Sequence, residues 1–331
     1  MVTRNRISWL VLLILSALIN SGCAMFSDYF SEDTQDPPSP LTSFEEEFNI
    51  KRVWSTDTGA GSDKQHLKLA PAVTDNKIFV ADHKGRVQGI NLETGDRLWD
   101  IETKTDISAG PGAGNGLVLV GTRNADVLAL SISDGKELWR TSVSSEVLSV
   151  PKVSAGVVII RTGDGRIRAL DASSGKRLWI YDSSQPVLTL RGNSSPAVTP
   201  EIGLVGFDNG KLAALLLQNG RLIWERTIAV PRGRSELERM VDIDGDPIIR
   251  NGIVYIVSYQ GNVAALEMDS GRLLWTRKMS SYAGLDVAGK QIYITDDQSD
   301  VWALDRNSGA SLWKQDKLKW RFLTAPVAMG N

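Results

Sequence analysis

From about residue 70 onward, apolar residues fall in runs of four to six, broken by Gly, Asp, Asn and Ser. Short runs bounded in this way read as β-strands joined by hairpin turns. In one stretch Lys152-Val153 starts a strand and Val157 to Arg161 follows. Arg166 to Leu170 comes next, after a Gly163-Asp164-Gly165 turn, and Arg177 to Ile180 comes last, after Ser174-Gly175. The pattern predicts four short strands in a unit of about 40 residues, the blade of a β-propeller. A parallel β-helix is the rival all-β fold, but its turns repeat at shorter spacing.

The unit recurs. Trp99, Trp139, Trp179, Trp224, Trp275 and Trp313 each stand four residues after a glycine: Gly95, Gly135, Gly175, Gly220, Gly271 and Gly309. An Ala-Leu pair precedes the glycine in five of the six units, and Gly89-Ile90 fills that slot in the first. Pro71, Pro111, Pro151, Pro196 and Pro247 each lie 28 residues before their tryptophan, and Leu285 takes this slot in the sixth unit. A residue repeated in every unit serves packing, so the tryptophans are expected on the outer strands, each ring buried against the next blade.

Six units are complete. Trp54 belongs to the same series and reads as an outer strand without inner strands of its own. Thr324-Ala325-Pro326-Val327 opens a further unit whose tryptophan slot lies beyond Asn331. These two features predict an eight-bladed propeller in the complete protein, lacking about 50–60 residues here. The alternative joins the Pro326 start to the Trp54 strand as one poor blade, giving seven.

The chain ahead of the repeats reads differently. Arg4 and Arg6 precede an apolar run from Ile7 to Ile19, which is too short for a stable spanning helix, so residues 1–22 form an export signal. Asn20-Ser21-Gly22-Cys23 resembles a bacterial lipobox, with Asn20 where Leu is usual. That resemblance implies lipidation at Cys23. Ala24 after it implies release to the outer membrane rather than retention at the inner one. An ordinary signal with an incidental cysteine is the alternative. The prolines and acids that follow make residues 23–49 a flexible tether, unable to bury enough surface to order itself. The propeller spans residues 50–331.

Composition narrows the chemistry. The chain has 331 residues, 42% of them hydrophobic, with 37 Lys plus Arg against 39 Asp plus Glu. Such a balance offers no basic surface for nucleic acid. Two histidines (His66 and His83) and one cysteine leave no His/Cys metal cluster and no internal disulfide. No Ser/His/Asp triad, phosphate loop or paired-carboxylate motif is present, so no catalytic residue, cofactor or metal is expected.

The segment from Asp171 to Trp179, repeated from Asp305 to Trp313, resembles the repeat of quinoprotein (PQQ-type) propellers. Enzymes of that superfamily hold quinone near calcium, often on a vicinal disulfide. This chain has no cysteine to spare and no acidic cluster assignable to calcium. The lipobox, acidic tether and propeller together resemble the outer-membrane protein assembly factor B (BamB) lipoproteins. The resemblance is sharpest at Leu188 to Pro196 and at Val241-Asp242-Ile243-Asp244, followed by Pro247. At these places the repeat is also broken. The link from tryptophan to the next proline is 12 residues after Trp99 and Trp139, but 17 after Trp179 and 23 after Trp224. Insertions in repeat proteins gather on the binding face.

The resemblance implies a non-catalytic scaffold of the β-barrel assembly (BAM) complex, lipid-anchored on the periplasmic face of the outer membrane. It implies binding to the periplasmic (POTRA) domains of the barrel subunit BamA, with unfolded outer-membrane proteins as clients. By motif, the implied partner-binding residues are Leu188, Leu190, Arg191, Asp242 and Asp244. Local packing of the leucines, turn chemistry at the aspartates and an internal Arg191–Asp pair are the competing explanations. Two other functions remain open at this point: a PQQ-dependent oxidoreductase-like propeller, and a periplasmic ligand-binding lipoprotein using Tyr181, Tyr259 and Tyr282.

Overall fold

The computed structural model describes residues 36–43, 45, 49–192 and 194–329. The export signal and Cys23 fall outside the described residues. The chain divides into residues 1–39 and 40–331, and all regular structure described here belongs to the second unit.

That unit holds six four-stranded antiparallel sheets, each a meander of four consecutive strands, covering residues 72–102, 107–142, 152–181, 197–227, 248–278 and 284–315. They are blades 1 to 6. In blade 3 the strands are Lys152–Ser154, Val157–Arg161, Ile167–Asp171 and Arg177–Tyr181, within a residue of those expected. First strands approach one another between blades 1 and 2, 2 and 3, 3 and 4, and 5 and 6. The second strand has no polar face because both of its faces are covered. Ile159 packs with Val205, Ala213 and Leu215 of blade 4, while Val158 and Ile160 pack with Leu119 and Ala129 of blade 2.

The repeated residues have one geometric explanation. Each alanine of the Ala-Leu pair lies directly across the outer strand pair from its tryptophan, as Ala169 lies opposite Trp179, and a β-bulge follows at the leucine. In blade 1 the slot is Gly89, where an added Cβ would sit 2.5 Å from the Trp99 ring. Only a small residue fits beneath the indole. The indole then reaches forward. Trp99, Trp139, Trp179, Trp224 and Trp275 donate Nε1–H to the carbonyls of Ile132, Ala172, Leu217, Met268 and Arg306 in the next blade, at 2.8–3.3 Å. Each ring also lies on the turn glycine of that next blade. A Cβ at Gly220 would meet Trp179 at 2.5 Å, and φ there is +71°. The glycine is thus required twice, for its positive φ and for the space its missing side chain leaves. Asp171 Oδ1 fixes the same kind of turn by accepting the Ser174 N–H at 2.9 Å, and Asp305 does so for Ser308.

Trp54 follows this rule without being in a strand. Residues 49–59 have no regular secondary structure, in contrast to the expected outer strand, because no inner strand among the described residues pairs with them. Its indole still donates to Leu92 O at 3.0 Å and covers Gly95. Trp313, in the sixth blade, is exposed.

Candidate docking site

Two connections depart from the repeat: residues 182–196 after blade 3, and 228–247 after blade 4. Both lie against the same turn of blade 4. Asn209 Nδ2 donates to Ser184 O at 3.1 Å on one side, and Ile228 N and Ala229 N donate to Gly210 O at 2.8 and 3.2 Å on the other. The two inserted loops are therefore neighbours on one face.

They are also tied to each other. Asp242 is 0% exposed and Asp244 6%. Asp242 Oδ2 accepts the Leu190 N–H, and the Asp242 carbonyl accepts the Tyr259 N–H at 2.8 Å. Ser194 Oγ donates to Gly245 O at 3.1 Å, and Ser195 N donates to Asp246 Oδ1 at 2.6 Å. Lys68 Nζ joins this cluster at 2.7 Å from Asp246 Oδ1 and 2.9 Å from Asp244 O. Gly192 is a glycine by close approach, since a Cβ there would lie 3.0 Å from Asp244 Oδ1.

The burial has an electrostatic consequence. Loss of water pushes the Asp242 carboxyl up to about 7. The Leu190 N–H opposes this, Asp208 and Asp244 add to it, and Arg161 opposes it. Burial likewise raises Asp244 to about 6, with Asp208 and Asp246 adding and Lys68 and Arg161 opposing. One oxygen of each, Oδ1, has no hydrogen-bond partner among the described residues. Beside them Arg161 and Asp208 form a buried ion pair at 2.5 Å, with the guanidinium 5.8 Å from the Phe207 ring centroid. A buried carboxylate pair of this kind needs a cation close by to remain charged at all.

Of the five residues the family motif singles out, the structure brings all into one region but in two roles. Leu188 is 42% exposed and Arg191 is exposed, whereas Leu190 is half-buried and both aspartates are interior. Arg191 does not pair with an aspartate. Its Nη2 lies 2.9 Å from Glu146 Oε1, in the connection after blade 2. Such a surface pair contributes about 0–1 kcal/mol and opens readily to a competitor.

Sequence reasoning missed Arg161 and Asp208. A signal was available, because the equivalent place at the end of the second strand holds Ala81, Gly121, Gly206, Val257 and Thr295 in the other blades. Arg161 is the one charged residue at that slot. The tyrosines are less open than a ligand platform requires. Tyr181 packs on Phe207 at 6.2 Å, and Tyr259 and Tyr282 lean on each other at 6.4 Å, all half-buried. Among the described residues no group of three or more His, Cys, Asp or Glu could hold a metal ion.

A protein family described as outer membrane protein assembly factor BamB matches residues 49–107 and 83–315. The chain is 54% identical over 278 residues to the BamB of Alkalilimnicola ehrlichii, covering 84% of this chain and 73% of that one. It belongs to the BamB family. The BamB of Escherichia coli (strain K12) is 36% identical over 324 residues, covering 95% of this chain and 82% of the other. The crystal structure of BamB from Moraxella catarrhalis superposes with a TM-score of 0.71 at 28% identity, covering 77% of each chain. A europium-containing methanol dehydrogenase superposes at 0.63 with 13% identity, over 80% of this chain and 73% of that one. That likeness is of fold alone. The BamB relatives are named as assembly factors and not as enzymes.

Proposed function

We infer that this chain is an outer-membrane-associated, non-catalytic scaffold in the assembly of outer-membrane proteins. In this reading it works within the BAM complex and docks on the periplasmic POTRA domains of BamA. Lipidation at Cys23 anchors it on the periplasmic side, and unfolded outer-membrane proteins are the clients. The observation that carries the docking role is the pair of inserted loops side by side on one face, tied together from beneath by the buried carboxylate of Asp242. Such a clamp holds a loop in its binding shape before the partner arrives, which lowers the ordering cost of association.

The five motif residues then divide the work. Leu188 offers an exposed apolar side chain, and Arg191 a guanidinium held only by a surface pair, the residue type enriched among interface hot spots. Leu190 contributes its backbone N–H to the clamp. Asp242 acts from below, fixing the loop through Leu190, and Asp244 lies buried against Gly192, so both support the loop rather than touch the partner.

A binding titration of the protein against the POTRA domains tests this, with Arg191→Glu alongside. Saturable binding by the wild type and its loss in the variant is expected, with circular dichroism and the thermal midpoint unchanged. A well-folded wild type that fails to bind would sink the docking role.

A further inference from the structure

We propose that residues 230–239, in the longer inserted loop, form a second docking element that grips an acidic protein surface. The inference rests on the docking role argued above and extends it to residues outside the family motif.

Every residue from 230 to 239 is exposed, including Val230 at 58% and Leu237 at 62%. Exposure of this extent usually goes with a loosely held loop, but here the shape is fixed at both levels. Glu238 Oε2 accepts the N–H groups of Arg234 at 2.6 Å and Ser235 at 3.3 Å, while Ser235 Oγ accepts the Glu238 N–H at 3.2 Å. This reciprocal arrangement is a capping box. The base of the loop is sunk into the fold through Ile228, Ala229, Met240 and Val241, all buried. Gln260 Nε2 steadies the crest by donating to Leu237 O at 3.4 Å.

Charge is distributed unevenly over this capped, exposed loop. Glu238 is engaged by the backbone, which holds its carboxyl below the usual range. Glu236 stands 3.8 Å from Arg239. Arg232 and Arg234 have no side-chain partner among the described residues, and they stand between the two exposed aliphatics Val230 and Leu237. A pre-shaped element with two uncommitted guanidinium groups and two apolar knobs matches a surface of carboxylates around an apolar recess. A lipid surface fits less well, because the loop carries no aromatic residue to sit among headgroups.

Position argues for the same partner that meets Arg191. The base of residues 230–239 bonds one side of the blade 4 turn and the Ser184 segment bonds the other. One domain laid across that turn reaches both loops at once, and two modest contacts then act as one interface. Long-range attraction from Arg232 and Arg234 also hastens encounter.

The test is a titration of the protein with the BamA POTRA domains at low and physiological salt. The variants are Arg232→Glu/Arg234→Glu, Leu237→Ser and Arg191→Glu, each checked for an unchanged thermal midpoint. The double variant is expected to weaken binding by about tenfold or more and to flatten its salt dependence. Leu237→Ser is expected to weaken binding with the salt dependence intact. Binding lost in Arg191→Glu but untouched in both loop variants would overturn this inference and leave the docking role standing. Failure of the wild type to bind would remove the docking role itself, and this inference with it. Vesicles containing phosphatidylglycerol form the last arm. Vesicle binding abolished by the double variant, with POTRA binding unaltered, would assign the arginines to lipid and overturn the inference.

Discussion

The indole of Trp179 and the carboxylate of Asp242 both fasten one part of the blade array to the next, and they do so by opposite physics. The indole buries a large apolar ring on Gly220 and closes one neutral hydrogen bond to Leu217 O at 2.9 Å. It is repeated with little change from blade to blade and carries no charge to titrate. The Asp242 clamp occurs once, between two irregular loops, and holds a buried carboxyl whose protonation changes near neutrality. Redundant apolar fastening makes a scaffold, whereas a single polar fastening makes a place where geometry can be adjusted.

Breaking the apolar side of this comparison has the largest effect. Trp179→Ala is expected to cost about 3–5 kcal/mol of unfolding free energy, from lost burial and the void left on Gly220. Urea denaturation measures it, and a loss under 1 kcal/mol would show that the blades do not depend on this contact. On the polar side, Arg161→Met strands Asp208 in the interior and is expected to cost about 3 kcal/mol. Adding Asp208→Leu should recover most of that, since an unpaired buried charge is the source of the cost. If the second change makes matters worse, the ion pair itself is stabilising.

The smallest effect is the most discriminating. Asp242 and Asp244 have folded pKa values raised to about 7 and about 6, above the ordinary carboxyl value of 3.8. Between about pH 4 and 7 the folded state therefore holds protons that the unfolded state has released. Stability from these two groups is largest near pH 4, falls as pH rises, and levels off above about 7. Asp242→Asn should flatten that fall when urea midpoints are compared across the window, while Trp179→Ala should run parallel to the wild type. Equal slopes in all three proteins would remove the clamp from the pH response.

The same contrast explains what could be read in advance. The blades were legible because Trp, Gly and Ala-Leu each recur at a fixed offset, so every unit checks the others. The strands of blade 3 fall within a residue of expectation for that reason. The two inserted loops were legible as breaks in the repeat and as a motif, but the interior beneath them was not. Asp242, Asp208, Arg161 and Leu190 come from four separate stretches of chain, and only folding shows that the aspartates are interior and that Arg191 turns to Glu146. Residues 230–239 repeat in no other blade, and the Ser235-x-x-Glu238 signature within them says nothing of the arginines beside it, so nothing in the sequence pattern set Arg232 and Arg234 apart from ordinary surface charge.

The forward-reaching indole carries no address. Its donor, the carbonyl it seeks and the glycine it covers are the same from one blade to the next, so Trp139 would fit the Gly220 turn as well as its own. What selects the adjacent blade is the length of chain between them. Loop-closure entropy favours the nearest match only weakly: Trp99 closes 36 residues to Gly135 against 76 to Gly175, a preference of about 0.7 kcal/mol. With the longer link after Trp224 the spans are 47 residues to Gly271 and 85 to Gly309, and the preference narrows to about 0.5 kcal/mol. The longer insertion is thus also the joint where a folding chain distinguishes least well between its next blade and the one after.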